Sequence, residues 1–248
     1  MADLTLEDIA KQVGVSRSTV SRVVNESPNV SDKVRKKVLE AIQRTGYHPN
    51  AAARSLASQR TRMIGLVIPR SVSSFFNDPF FPQLVQGIAF GCNDLEFALS
   101  LFLVGNKKDE EKLLPRILQS GMLDGVLIQS GLPGDQFVER LITSRLPSVM
   151  LGRPLVEGDI NYVDVDNVEG ALKATRYLIN LGYKRVATIT GKKGNAVTKD
   201  RLAGYQKAIA ESDLALEKAL IEEGDFTESG GYQAMKELLK SSPDAVFA

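Results

Sequence analysis

Apolar residues recur at helical spacing in two short bursts at the start of the chain. Leu6, Ile9, Ala10 and Val13 form one stripe, and Val20, Val23 and Val24 form a second, with Gly14 and Val15 between them. Spacings of three and four residues place each set on one side of a helix. Thr5 followed by Asp8 is a capping pattern for the first helix, Gly14 ends it, and Ser16 caps a second helix that runs to about Asn25. Two short helices meeting at a tight turn make a helix-turn-helix. A third helix is predicted from a Ser31 cap, with Val34, Val38, Leu39 and Ile42 as its buried stripe and Thr45-Gly46 as its stop, closing a three-helix core. Residues 50 to 58 favour helix by propensity but fall short of the ~12 to 15 residues that hold an isolated helix together in water, so they are expected to fray alone.

From Met63 the pattern changes to short apolar runs alternating with amphipathic stretches. Strands are predicted over 64–68, 98–104, 125–129, 148–151, 162–165, 185–190, 219–222 and from Asp244, with helices over 80–94, 109–120, 134–144, 167–181, 197–211 and 228–239. Strands and helices in alternation imply a parallel sheet with helices on both faces. Ligands in such sheets sit at the carboxyl ends of the strands.

The outward face of the second helix carries Arg17, Ser18, Ser21, Arg22 and Asn25, all hydrogen-bonding types and none acidic. An ordinary solvated face is the plainer reading of those residues alone, but the helix-turn-helix setting makes them suited to a DNA groove. Arg donates two bonds to the guanine edge, Ser serves several bases, and Asn25 or the Ser16 end can hold a phosphate. Charge supports the same division of labour. Residues 1–62 hold 11 Lys or Arg against 6 Asp or Glu, leaving 20 against 24 in the remainder, so the head is +5 and the body −4. A basic head on an acidic body fits a polyanion-binding module joined to one that is not. Lys33, Lys36, Lys37 and Arg44 read as a solvated surface that adds electrostatic attraction.

Other chemistry is sparse. Cys92 is the sole cysteine, which excludes an intrachain disulfide and a zinc site built on several cysteines, and it reads as a small packed residue. His48, the sole histidine, sits in a Tyr47-His48-Pro49 turn without an identifiable acid-base partner. No phosphate-binding Gly-rich loop follows the first strand and no Gly-x-Ser-x-Gly elbow appears, so an enzyme is not expected, nor a cofactor or metal. No signal peptide and no run near ~20 apolar residues is visible, which places the expected site of action in the cytoplasm, away from membranes.

Thr5-Leu6-Glu7-Asp8-Ile9-Ala10, Gly14-Val15-Ser16 and Thr19-Val20-Ser21-Arg22-Val23-Val24-Asn25 resemble the start of a lac repressor family regulator, and the match extends through Gly46-Tyr47, Pro49-Asn50 and Ala53-Arg54-Ser55-Leu56. The resemblance covers essentially the whole sequence. It implies an all-α helix-turn-helix head (1–49), a hinge helix and linker (50–61), and a two-lobed α/β core like that of periplasmic sugar-binding proteins, with lobes at 62–162 and 163–248. Family members also carry an acidic ligand contact just after the strand beginning at Asp244, then further elements, none of which is in this sequence. The second lobe is therefore expected to be incomplete, with residues 244–248 as a short apolar edge.

By this resemblance the chain is expected to be a transcriptional regulator, a repressor in families of this kind, that binds a pseudo-palindromic double-stranded DNA operator as a homodimer and answers to a small effector, a carbohydrate by class. Its DNA contacts would come from Thr5, Leu6, Ser16, Arg17, Ser18, Ser21, Arg22, Asn25, Ser31 and Tyr47, and from a hinge in which Asn50 and Ala53 flank a minor-groove wedge, Leu56. Leu56 packing on the core is the plainer alternative. Its effector contacts would come from Phe80, Phe81, Asp166 and Arg201: Phe80 by stacking on a ring, with hydrophobic packing under the loop an equal alternative for each of the two aromatics, Asp166 by accepting hydroxyl protons or else merely capping a helix, and Arg201 through its fork of donors. A soluble sugar-binding receptor is the competing class. It predicts a secretory signal and no helix-turn-helix, the reverse of what the sequence shows.

Overall fold

Side-chain caps start the first two helices, and tertiary packing completes the rest. The computed structural model describes residues 4–25, 27–47, 60–119, 121–129, 134–155 and 158–248. The chain divides into two units, Met1–Arg62 and Met63–Ala248.

In the first unit, α1 (Leu6–Val13) opens with a full capping box: the Thr5 hydroxyl accepts from the Asp8 N–H while the Asp8 carboxylate accepts from the Thr5 N–H. It ends at Gly14 in the left-handed region. The second helix, α2 (Arg17–Val24), begins at Ser16, whose hydroxyl accepts from the Thr19 N–H. Helix α3 (Asp32–Thr45) ends at left-handed Gly46. Ile9, Ala10, Val20, Val23, Val38, Ala41 and Tyr47 form the shared core, with Leu6, Val13, Val24, Val34 and Ile42 packed around it. Two expectations are corrected here. Leu39, predicted to be buried, is 50% exposed, because at helical pitch it turns away from the face that Val38 and Ala41 bury. Ser31 occupies the N-cap position of α3 but makes no side-chain cap bond.

In the second unit the elements are β1 (Met63–Ile68), α4 (Val72–Asn77), α5 (Phe80–Asp94), β2 (Ala98–Leu103), α6 (Lys107–Ile117), β3 (Gly125–Gln129), α7 (Gln136–Ile142), β4 (Ser148–Leu151), β5 (Tyr162–Val163), α8 (Asn167–Asn180), β6 (Val186–Thr190), α9 (Ala196–Ala210), β7 (Ile221–Glu223), α10 (Glu228–Leu238) and β8 (Ala245–Phe247). Two parallel sheets result, one of five strands in the order β2-β1-β3-β4-β5 and one of three in the order β7-β6-β8. Parallel pairing requires crossovers, and the intervening amphipathic helices provide them. The short α4 was not anticipated, because Val72 to Asn77 has no repeating stripe. A single turn of 3-10 helix over Lys218–Leu220 delays β7 to Ile221, two residues beyond its expected start.

Each sheet has its own core. Val67, Val126, Ile128, Leu141 and Met150 anchor one face of the first sheet, and Leu66, Ile68, Phe75 and Phe81 anchor the other. Val186, Tyr205 and Ile209 lie under the second. Cys92 is buried, and that burial pushes its thiol up from the ordinary value. Helices α8 and α9 press together at Gly204, where a Cβ would fall 2.2 Å from the Val168 carbonyl oxygen. The Tyr205 hydroxyl, next in sequence, donates to the Val186 carbonyl at 2.9 Å, and burial pushes its pKa up to about 12.

Candidate DNA-recognition face and ligand pocket

Helix α2 buries Val20 and Val23 and leaves Arg17, Ser18, Arg22 and Asn25 exposed, with Ser21 half-buried between them. No acidic residue lies in its first turn. The Ser16 hydroxyl is within 2.8 Å of the Ser18 hydroxyl and 2.9 Å of that of Thr19, so the helix N-terminus presents a cluster of hydroxyls beside free N–H groups. Arg17 Nε lies 3.6 Å from Glu7 Oε1 on α1, an exposed pair of the kind that contributes little and parts readily for a phosphate or base. At the other end of the helix, Asn25 Nδ2 donates to the Ser21 hydroxyl at 3.4 Å.

The remaining head residues are placed differently. Thr5 is committed to its capping box, and its hydroxyl bond holds the Asp8 carboxyl below the usual carboxylate range. Leu6 is half-buried against the head core, and Ser31 is exposed at the start of α3. Tyr47, expected on the DNA side, is 6% exposed and packs into the three-helix core, so its ring serves the fold first. His48, Asn50, Ala53 and Leu56 lie outside the described residues.

In the second unit a pocket of about 160 Å³ opens at the carboxyl ends of β6 and β7, lined by Thr190, Gly191, Thr198, Arg201, Asp225 and Phe226 among others. Arg201 reaches it from the second turn of α9, with its Nε donating to Asn167 Oδ1 at 3.1 Å. Phe226 lines the same pocket with φ +63°, a left-handed conformation rare for an aromatic residue. Its ring lies against Gly191, where an added Cβ would come within 2.1 Å of Phe226 Cζ and 2.5 Å of the Thr198 hydroxyl oxygen. That hydroxyl is buried and has no hydrogen-bond partner. Asp225 accepts from the Thr227 hydroxyl and N–H, and the hydroxyl bond leads in holding its carboxyl below the usual range.

The four expected ligand residues are not brought to one place. Phe80 is 55% exposed at the start of α5, at the carboxyl end of the first sheet. Phe81 is 2% exposed and stacks on Phe75 at 5.6 Å, which makes it a core residue rather than a ligand contact. Arg70 lies over its ring at 5.8 Å. Asp166 is the N-cap of α8, accepting from the Glu169 N–H at 2.8 Å, so the capping alternative describes its geometry. Arg201 alone of the four lines the pocket. The structure adds Phe226 and Asn167 around it. Gly224-Asp225-Phe226-Thr227 carried a recognisable turn signal, but nothing in the sequence placed it beside Arg201.

A helix-turn-helix unit with a polar, non-acidic recognition face, in one chain with a parallel α/β unit that holds a pocket at its strand ends, defines a ligand-responsive DNA-binding regulator. The model for bacterial regulatory proteins of the lacI family matches residues 5–50, and that for periplasmic binding proteins and the sugar binding domain of the LacI family matches 61–248. This chain belongs to that family. It is 38% identical over 248 residues to the HTH-type transcriptional regulator CelR of Thermobifida fusca, covering 98% of this chain and 73% of that protein. It is 36% identical over 247 residues to the regulator MalR of Streptococcus pneumoniae serotype 4, covering 98% and 75%. Among solved structures it is similar to a CelR–cellobiose complex (35% identity, TM-score 0.70, 99% of this chain and 73% of that one). It is also similar to the lac repressor dimer bound to operator and the anti-inducer ONPF (25% identity, TM-score 0.78, 99% and 73%). Among the described residues, no helix is long and apolar enough to cross a membrane.

Proposed function

We propose that the chain regulates transcription without catalysing a reaction: it binds a pseudo-palindromic operator as a homodimer and changes its affinity when a carbohydrate occupies the pocket at Arg201 and Phe226. The observation that carries this is the face of α2, whose Arg17, Ser18 and Arg22 stand exposed beside a capped helix N-terminus with no acidic residue in the first turn. Helix N-terminal residues reach base edges first, which assigns operator choice to Arg17 and Ser18. The organisation that goes with this reading is a head over 1–49, a hinge over 50–61 and two lobes divided near 162. The hinge part of this reading, a helix over 50–58 formed on DNA with Leu56 as the minor-groove wedge, falls on residues outside those described.

The pocket chemistry suits a sugar. An aromatic face covers the apolar side of a pyranose ring, while a guanidinium fork and a low-pKa carboxylate bracket its hydroxyls. Regulation follows by linkage: a ligand that binds two arrangements of the lobes unequally shifts the separation of paired hinges. Coupling of this kind is typically about 1–3 kcal/mol.

Selection of the chain on random duplex DNA tests the reading. A pseudo-palindrome with a kinkable centre is the expected winner, and recovery of half-sites alone would contradict the dimer. On the selected site Arg22→Ala should lose about 1–3 kcal/mol of binding while leaving random DNA nearly unaffected. An equal loss on both would make Arg22 a phosphate contact.

A further inference from the structure

Side chains around Arg201 close on one another in a circuit that crosses from the first sheet to the second. Arg153, in the loop just after β4, presents its guanidinium to Asp200 on α9, with Nε to Oδ2 at 3.0 Å and Nη2 to Oδ1 at 2.7 Å. Asp200 is followed directly by Arg201, whose Nε donates to Asn167 Oδ1 at 3.1 Å. Asn167 is 7% exposed, and its Nδ2 donates to Asp164 Oδ1 at 3.2 Å and to the Val165 carbonyl at 3.2 Å. Asp164, just after β5, closes the loop by accepting the Arg153 N–H on its other carboxylate oxygen at 2.9 Å.

The circuit balances two guanidinium groups against two carboxylates. The Asp200 side chain is 17% exposed, and the bond to it raises the Arg153 guanidinium above its already high value. None of this is needed to begin α8, because Asp166 already caps that helix. The Arg–Asp contact is two-pronged, so it is geometrically specific and is either made or broken. Arg201 spends its Nε on Asn167, which leaves Nη1 and Nη2 for whatever enters the pocket.

We propose that Asn167 is the positioning residue for Arg201, and that the Arg153–Asp200 bridge, joined through Asp164, carries occupancy of the second-sheet pocket to the carboxyl end of the first sheet. This rests on the reading of that pocket as the effector site. A ligand that draws the Arg201 guanidinium strains its bond to Asn167 and moves the turn of α9 that holds Asp200. Arg153 then follows or lets go. Either outcome shifts the loop after β4, so a change at one sheet reaches the other through a chain of discrete bonds.

Hydrogen exchange of the 248-residue chain, read by mass spectrometry, tests the relay without any ligand. Arg153→Gln should speed exchange about tenfold in the 150–155 segment and also at 162–170 and 196–205, because opening free energies are shared within a coupled unit. Asp200→Asn should give the same pattern from the opposite end, and it keeps the test decisive should Arg153→Gln fail to fold. Acceleration confined to the mutated segment in both variants overturns the relay.

Calorimetric titration with cellobiose separates this from the pocket reading. If the wild-type chain saturates, Asn167→Leu should weaken binding roughly fivefold or more while Lys240→Gln, outside the residues that line the pocket, leaves it unchanged. Unchanged cellobiose affinity in Asn167→Leu overturns the positioning role. No binding of cellobiose or of other mono- and disaccharides by the wild-type chain would sink the carbohydrate reading, while the exchange result still decides the relay.

Discussion

The head and the α/β body answer the same problem, holding a polar functional face in place, with opposite means. In the head two helix starts and two helix stops are written within a few residues: Thr5 with Asp8, Ser16 with Thr19, Gly14 and Gly46 in the left-handed region. The recognition face is then whatever α2 does not bury. In the body the pocket is assembled from strand ends and a helix brought together across the fold, and Arg153 meets Asp200 from 47 positions away. The lesson is that a DNA-reading surface needs only a correct helix phase, whereas a pocket that answers to a ligand needs parts that can move relative to one another.

That contrast predicts unequal sensitivity. The largest effect is expected at Gly204, where any side chain meets the Val168 carbonyl and the α8–α9 contact cannot give. Gly204→Val should destabilise the body by about 3 kcal/mol or more, read as a drop in the urea midpoint, while the α2 surface still binds DNA non-specifically. Loss of both together would show the two units to be one cooperative system. Val20→Ala in the head, where Val20 is fully buried, should cost about 2 kcal/mol. The head's core is small, so operator affinity should fall before any change in the body's unfolding midpoint.

A smaller effect is expected from Tyr205→Phe. It keeps the buried ring and removes only the bond to Val186, so about 1 kcal/mol of body stability should go. The same phenol links stability to alkaline pH. Its folded pKa is raised to about 12, so the unfolded chain gives up its proton first, and the body should lose stability as pH rises through the range between the ordinary tyrosine value and about 12. Tyr205→Phe should flatten that part of the profile.

The smallest effect belongs to Asp8. Its folded pKa is depressed by the Thr5 hydroxyl, so its contribution is fully present above the ordinary carboxylate value and is lost as pH falls through the depressed one. Circular dichroism of Asp8→Asn should therefore show a helix content in the head that no longer responds to acid in that window. A persistent response would shift the credit to another carboxylate.

How much of this was legible beforehand follows the same division. The alternation of strands and helices, the positions of α5 and β3, and the caps of α1 and α2 could be read because each rests on spacing within a dozen residues. Leu39 was misplaced, and packing against ligand contact stayed open for Phe80 and Phe81, for the converse reason. Phe80 and Phe81 are chemically alike, and only the packing of α5 against Phe75 sends one inward and leaves the other exposed. Leu39 is apolar, but the helix phase set by Val38 and Ala41 turns it to solvent. Arg201 lines a pocket together with Phe226, a residue that nothing in the sequence singled out, since no local pattern says which strand ends will face each other.

By itself, then, the amino-acid sequence determined the three-helix head, the non-acidic face of α2, the charge difference between head and body, and the alternating pattern that builds parallel sheets. These depend on periodicity, capping and composition, which act over short separations. Only the tertiary structure decided that Tyr47 packs inward, that Asp166 caps a helix, and that Phe226 is held in a left-handed conformation over Gly191. It also decided that Arg153, Asp164, Asn167, Asp200 and Arg201 form one circuit. Each of those outcomes depends on which distant backbone segment arrives alongside, and that is fixed by burying the faces of whole sheets and helices rather than by any residue's own preference.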